Sequence, residues 1–181
     1  MHRTTLLNPL RGAASMFIRT KKIQKYRYAY LVESRWTKQG TRQKTKAYLG
    51  RVFDFGDVSH ELPDVENVTT YFEGALRDLL QNAGFTQNGA RTERDGIVVH
   101  VKRCSVRKAG KPCVIAINEG FVCDHTLKDL FKFQERKYIS RLQSAQENVG
   151  HILAKSLIGC GLVLDGESFI ELYGKLVPNS I

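Results

Sequence analysis

The sequence predicts an α+β protein in which a small three-stranded antiparallel sheet plus one helix is followed by a second, mostly helical α+β domain with a β-hairpin. Between residues 16 and 50, aromatic and β-branched residues alternate with polar ones, which is typical of strands. Between residues 65 and 83, apolar residues recur at three- and four-residue spacing, which is typical of an amphipathic helix. We therefore expect a flexible tail at 1–15, a sheet-plus-helix domain at 16–84 and an α+β domain at 90–181.

The first domain is expected to begin with three strands. They are predicted at 16–21, 26–36 and 41–50. The connection at 37–40 contains Gly40, a residue type that favours hairpin turns. The three strands are therefore expected to form one antiparallel sheet.

A helix is predicted to follow an acidic linker at 52–64. It is expected to start after Asp64, which is suited to an N-cap, and to end at Gly84. Its apolar positions share one face and are Val65, Val68, Phe72, Ala75, Leu76, Leu79 and Ala83. Such a face would cover the apolar side of the sheet. Residues 86–96 are polar and are predicted to form a loop.

The second domain is predicted to open with a hairpin and to end in helices. The expected elements are strands at 97–106 and 113–117 around a Gly/Pro turn, a helix capped near Asp124, a long helix at 136–159 and a short helix capped near Asp165.

Positive charge is concentrated at the beginning of the chain. The whole chain has a formal net charge of +10, and residues 16–51 contain eleven Lys and Arg residues against a single acid, Glu33. Residues 52–181 contain slightly more acidic than basic residues. This asymmetry indicates that the first segment binds a polyanion, most often nucleic acid. A solvated basic face and an acidic protein partner are the alternatives.

Alternation within 41–50 gives Arg42, Lys44, Lys46 and Tyr48 the same parity, so a regular strand would present them on one face. Lysine and arginine in such a row can follow phosphates. Aromatic residues such as Tyr28 could stack on unpaired bases or pack beneath a sheet that enters the major groove. The predicted nucleic-acid contacts are Arg19, Lys21, Lys22, Arg27, Arg35, Trp36, Arg42, Lys44, Lys46 and Tyr48, with Tyr28 and Tyr30 as further packing or stacking groups.

Three short runs carry a resemblance to a known family. The runs are Met16, Phe17, Ile18 and Arg19; then Tyr28, Tyr30, Leu31, Val32, Glu33 and Ser34; then Arg42, Gln43, Lys44, Tyr48, Leu49, Gly50 and Arg51. In order and spacing they resemble the N-terminal segment of a group of insertion-sequence transposases. The resemblance covers only residues 16–51 and implies a module that recognises duplex DNA.

The rest of the chain departs from that family. Those transposases owe their chemistry to an RNase H-like domain with three metal-binding carboxylates, which normally needs a few hundred residues. The carboxylates that could be candidates by residue type are Asp54, Asp95, Asp124, Asp165 and Glu171. Helix capping explains Asp124 and Asp165 better than catalysis does. We therefore predict no catalytic residue, and a metal-dependent nuclease or another enzyme with its site in 90–181 is the alternative.

Five residues of the second half have side chains that bind zinc in other proteins: His100, Cys104, Cys113, Cys123 and His125. Their spacing lacks the close C-x2-C pairs that make a zinc site recognisable. Cysteines buried as small apolar residues are the preferred explanation for the three thiols. Catalysis by Cys123 with His125 lacks an oxyanion-binding device. No metal or other cofactor is therefore predicted.

The remaining expectations concern partners and location. No apolar run approaches the roughly 20 residues that a membrane span needs, and residues 1–15 lack the apolar core of a secretory signal. Four cysteines are few, so a cytoplasmic protein with reduced thiols is expected. DNA is favoured over RNA as the partner, an RNA- or ribosome-associated protein is the alternative, and a homodimer stays open.

Overall fold

The computed structural model describes residues 15–60 and 68–177. The tail predicted at 1–15 lies outside the described residues except for Ser15. The expected N-cap Asp64 and the first apolar helix position, Val65, also lie outside them.

The first three strands are β1 (Ser15–Ile23), β2 (Tyr26–Thr37) and β3 (Gly40–Asp54). They pair antiparallel in chain order, through two-residue turns at 24–25 and 38–39. The three predicted strands are therefore present, but β3 continues four residues beyond its predicted end at residue 50.

Six further strands follow. They are β4 (Thr86–Asn88), β5 (Arg91–Arg94), β6 (Ile97–His100), β7 (Ser105–Lys108), β8 (Lys111–Ile117) and β9 (Gly120–Val122). The nine strands form one mixed sheet in the order β1-β2-β3-β8-β7-β6-β5-β4, and β9 also pairs with β8. The predicted fold class, a small three-stranded sheet followed by a mostly helical domain, is wrong, because those three strands are the end of this larger sheet.

The continuation of β3 is what joins the strands into one sheet. Residues Arg51–Asp54 pair in parallel with Cys113–Ala116 of β8. The acidic linker predicted from residue 52 onward is therefore wrong for residues 52–54. Val52 is buried and Phe53 packs against the main core, so consecutive residues are covered on both faces of the sheet. This pattern is typical of an interior strand and lacks the alternation that marks a half-exposed one.

The loop predicted at 86–96 is also wrong, because it contains β4 and β5. The two-residue turns of these strands are Gly89-Ala90, in which Gly89 has φ of 60°, and Asp95-Gly96, in which φ is 52° and 74°. Glycine at the first turn position and the pair Asp-Gly are both typical of two-residue hairpin turns. The strand predicted at 97–106 is interrupted in the same way by a turn at 101–104.

The helices are α1 (Val68–Asn82), α2 (Asp124–Phe131), α3 (Arg136–Ser144), α4 (Val149–Gly159) and α5 (Gly166–Leu176), with a 3-10 turn at Lys132–Gln134. The single helix predicted at 136–159 is divided into α3 and α4. Gln146 adopts φ of 54°, and the Asn148 side chain accepts a hydrogen bond from the His151 N–H at 2.9 Å, which caps α4. None of the five described helices has the length and apolarity that a membrane span needs.

The main core lies between one face of the sheet and the helices. It combines residues of α1, such as Phe72 and Leu76, with Ile115 of β8 and Leu127 of α2. A smaller cluster covers the other face of β8 and consists of Ala29, Val52, Val114, Ala116 and Cys123, with Ile18, Leu49 and Phe121 packed against it. Because β8 is buried on both faces, it anchors the basic strands β1–β3 to the rest of the molecule.

Candidate nucleic-acid interface

The pairing of β1, β2 and β3 sorts their side chains onto two faces, because paired residues on neighbouring strands point the same way. Tyr30 pairs with Arg19 and with Tyr48. The face that contains them, here called the aromatic face, consists of Arg19, Lys21, Tyr26, Tyr28, Tyr30, Trp36, Tyr48 and Arg51. The opposite face, here called the basic face, consists of Lys22, Arg27, Glu33, Arg35, Arg42, Lys44 and Lys46.

The first of two irregularities in β3 separates residues that were predicted to share a face. The register with β2 shifts beside Lys46 and again beside Leu49. Each shift is a bulge that adds one residue to β3 and so reverses the alternation that follows. Lys44 therefore pairs with Glu33 on the basic face, whereas Tyr48 pairs with Tyr30 on the aromatic face. The three basic residues of β3 stay together, and Tyr48 does not lie beside them.

Glu33 neutralises part of the basic face. Its carboxylate accepts hydrogen bonds from Arg35 Nη2 at 2.8 Å and from Lys46 Nζ at 3.3 Å, and its side chain is only 11% exposed. The hydrogen bond from Arg35 and the nearby Lys46 ammonium hold the pKa of Glu33 below its ordinary value, against the effect of burial. Glu33 is the one acid of segment 16–51, and this role was not predicted from the sequence. Glu33 and Arg35 are two residues apart on one strand, and this spacing, which places both side chains on the same face, was the signal present in the sequence.

Two other cations of the predicted set have partners. Arg27 Nη2 lies 2.7 Å from Asp54 Oδ2, at the end of β3. Arg19 donates a hydrogen bond to the amide oxygen of Gln43 at 3.3 Å. An exposed pair of this kind contributes little to stability, but it fixes where the guanidinium lies.

Several cations remain available for an anionic partner. Arg42 donates to the neutral side chain of Gln39. Within the described residues, Lys21, Lys22 and Lys44 make no ion pair with an acid, and all three are exposed. The predicted contacts are thus divided between cations that are already neutralised and cations that are free.

The ends of β2 and β3 project past the described part of β1, which begins at Ser15. The pairing of β1 with β2 ends at Ser34, while β2 and β3 continue to pair up to Thr37 and Gly40. Within the described residues, residues 35–42 therefore form a two-stranded ribbon, a term kept for this segment below. The Thr37 hydroxyl donates to the Gly40 carbonyl at 2.7 Å and closes the tip.

The ribbon carries Arg35, Lys38 and Arg42, and Lys44 lies at its base. Trp36, the single tryptophan of the chain, lies on its other face and is 65% exposed. With the strands about 4.8 Å apart, a ribbon of this width fits a major groove about 12 Å wide.

The tyrosines of the aromatic face pack on one another. The centre of the Tyr48 ring lies 6.3 Å from the centre of the Tyr28 ring and 5.5 Å from that of the Tyr30 ring. In both pairs the ring planes are tilted. Arg51 stacks its guanidinium 3.7 Å from the ring centre of Tyr26. Tyr48 nonetheless keeps 53% of its surface exposed. Of the two predicted roles for these rings, mutual packing is present, and stacking on bases stays a prediction.

The five residues with zinc-binding side chains lie on several different elements of the fold. Cys113 is buried in β8, Cys123 is buried at the N-cap of α2, and His125 Nε2 lies 3.2 Å from Asp129 Oδ2. Among residues 15–60 and 68–177, no group of three or more His, Cys, Asp or Glu side chains is placed to hold a metal ion. Burial raises the pKa of Cys113 to about 11 and also raises that of Cys123, so both thiols are protonated at neutral pH.

Asp124 and Asp165 differ in role. Asp165 caps α5, as predicted, by accepting a hydrogen bond from the Ser168 N–H at 2.9 Å. Asp124 is not the cap of α2, because Cys123 occupies that position. Asp124 instead accepts from Arg107 Nη1 at 2.6 Å and from the Val106 N–H at 2.8 Å. Burial opposes ionisation, but these hydrogen bonds outweigh it and lower the pKa of Asp124.

No protein-family model, curated protein or solved structure matches this chain. The resemblance of residues 16–51 to transposase segments is therefore still a prediction.

Proposed function

We propose that this protein binds duplex DNA, with the ribbon in the major groove and the basic face turned toward the DNA. The observation that carries the proposal is the projecting ribbon, on which Arg42, and Lys44 at its base, have no acidic partner among the described residues. A two-stranded β-ribbon is one of the two elements that fit this groove. The resemblance of residues 16–51 to a DNA-recognition segment supports the same proposal.

In this arrangement the cations have different tasks. Arg42 can form a two-pronged hydrogen bond to a guanine edge, because its guanidinium is planar. Lys38 and Lys44 contact phosphates that flank the groove and release counterions. Arg35 is held by Glu33 and so positions the ribbon more than it binds phosphate.

Two variants with equal loss of charge test this orientation. Arg42→Gln/Lys44→Gln removes two cations from the basic face, and Arg19→Gln/Lys21→Gln removes two from the aromatic face. We expect the first to weaken binding to a labelled duplex by about tenfold or more and to reduce the slope of log K against log salt by up to about 2. The second should have a clearly smaller effect. Fluorescence anisotropy across a salt series measures both quantities.

The two outcomes that contradict the proposal are distinct. Equal losses in the two variants would mean that net charge alone, not the ribbon, determines binding. Unchanged binding in Arg42→Gln/Lys44→Gln would remove the ribbon from the interface. Far-UV circular dichroism of each variant checks that the sheet is retained.

A single-stranded nucleic acid is a second candidate, favoured by the exposed Tyr48 beside Tyr28 and Tyr30. Unlabelled duplex DNA, single-stranded DNA and RNA of one sequence are used as competitors. We expect the duplex to compete best and Tyr48→Ala to leave its affinity unchanged. If a single strand competes better than the duplex, and Tyr48→Ala abolishes this advantage, the aromatic face would be the binding surface instead.

A further inference from the structure

A cavity of about 650 Å³ lies near the other end of the sheet from the ribbon. Its volume is within the range of small-molecule sites, about 300–1,000 Å³. Six residues line it, and none is acidic: Asn88, Ala90, Arg91, His100, Lys102 and Arg103.

The strand register explains why these residues meet. Thr92 pairs with Val99, and both are buried on the core side of the sheet. The neighbouring residues Arg91 and His100 therefore point to the opposite side, next to each other. The β4–β5 turn brings Asn88 opposite Arg91.

The β6–β7 turn supplies the other two cations. The Arg103 N–H donates to the His100 carbonyl at 3.2 Å, and the Cys104 N–H donates to the Val101 carbonyl at 2.9 Å. These bonds fix the backbone of Lys102 and Arg103 beside the cavity.

The cations of this cavity are largely without acidic partners. Lys102 Nζ lies 3.4 Å from Glu73 Oε2 of α1. Within the described part of the chain, Arg91 and Arg103 make no ion pair with a carboxylate, and both are exposed. Like charges held side by side repel each other unless an anion lies between them.

The donors match one class of anion. Two guanidinium groups can each donate a pair of parallel hydrogen bonds to phosphate oxygens, which lysine cannot do. The imidazole of His100 and the amide of Asn88 are further donors of suitable length. We propose that this cavity binds a phosphate group, carried either by a small phosphorylated molecule or by a nucleic-acid backbone.

The site is separate from the ribbon. Four strand spacings lie between β3 and β5, which is about 19 Å along the sheet. Binding in the cavity therefore does not depend on the proposed groove contact.

Pyrophosphate titration of the full chain tests the site. The arginine Nε–H signals in ¹H–¹⁵N NMR spectra are followed against sodium chloride of equal ionic strength. We expect saturable shifts of the Arg91 and Arg103 signals only, and at least a tenfold weaker response of the neighbouring backbone signals in Arg91→Gln/Arg103→Gln.

The control variant Arg136→Gln/Lys137→Gln removes two exposed cations at the start of α3 and should keep the wild-type response. Shifts that do not saturate, or an equal loss in both variants, would overturn the proposal. The variant Arg42→Gln/Lys44→Gln should bind pyrophosphate normally, so failure of the ribbon proposal would be recognised separately.

A second titration, with a 12-base-pair duplex, identifies the source of the phosphate. If the duplex moves the Arg91 and Arg103 signals, the cavity holds a backbone phosphate. If pyrophosphate moves them and the duplex does not, the ligand is a small phosphorylated molecule.

Discussion

Glu33 lies among the eleven basic residues of segment 16–51, and its carboxylate is held by Arg35 and Lys46. The group is more acidic in the folded chain than in the unfolded one, because both partners favour its charged form. Its stabilising effect is therefore present above the ordinary pKa of 4.5 and is lost as the pH falls through the lower folded value.

We expect Glu33→Gln to lower the melting temperature at pH 7, because two cations lose their partner. The difference from the wild type should begin to shrink below about pH 4.5 and be lost once the pH is below the lower pKa of the folded carboxylate. Thermal unfolding followed by circular dichroism between pH 3 and pH 7 measures this. Glu147→Gln, at an exposed carboxylate without an ion pair among the described residues, is the control. If the difference in melting temperature between Glu33→Gln and the wild type does not change with pH, Glu33 stabilises the fold through packing and not through its charge.

At the scale of single elements, Gly50 controls how β3 meets β8. Its φ is 127°, and a Cβ atom there would lie 2.3 Å from the Pro112 carbonyl oxygen. Gly40, at the ribbon tip, has φ of 107° but no atom within 4 Å of its Cβ position. The two glycines therefore share the backbone requirement and differ in crowding.

Gly40→Ala should cost about 1–3 kcal/mol of unfolding free energy, the usual cost of an unfavourable backbone angle. Gly50→Ala should cost clearly more, because β3 must also move away from β8. Urea unfolding of both variants measures the difference. Equal losses of unfolding free energy in the two variants would mean that β8 is displaced at little cost and that the parallel pairing of β3 with β8 tolerates this displacement.

The elements that sequence analysis found are those with local signals. The strands at 16–50 alternate over many residues, and α1 has apolar positions such as Phe72 and Leu79 on one face. The pairing of Val52 with Val114 joins residues far apart in the chain, and local patterns do not encode it. The bulge at Lys46 likewise depends on the partner strand, so Tyr48 could not be placed from the alternation alone. The Gly89-Ala90 and Asp95-Gly96 turns have glycine signals in the sequence that the loop prediction at 86–96 overlooks.

On the scale of the whole molecule, one sheet and one main core connect the first segment to the rest. The Phe55 N–H donates to the Ala116 carbonyl at 3.0 Å, and the Asn118 N–H donates to the Gly56 carbonyl at 3.1 Å. The core residue Leu76 of α1 belongs to the same cluster as Leu127 of α2. This packing predicts that the segments 16–84 and 90–181 unfold together.

Native-state hydrogen exchange tests this cooperativity. We expect the Phe55 amide, which bonds to β8, to exchange with a free energy within about 1 kcal/mol of that of the Ile115 amide, because both open only on global unfolding. Leu127→Ala removes a fully buried side chain and should lower both values by the same amount, about 2–5 kcal/mol. Lys137→Ala, at an exposed site, should lower neither. If Leu127→Ala weakened the protection of Ile115 alone, the segment 16–84 would be an independent unit, and the ribbon would be carried by a domain that folds without β8.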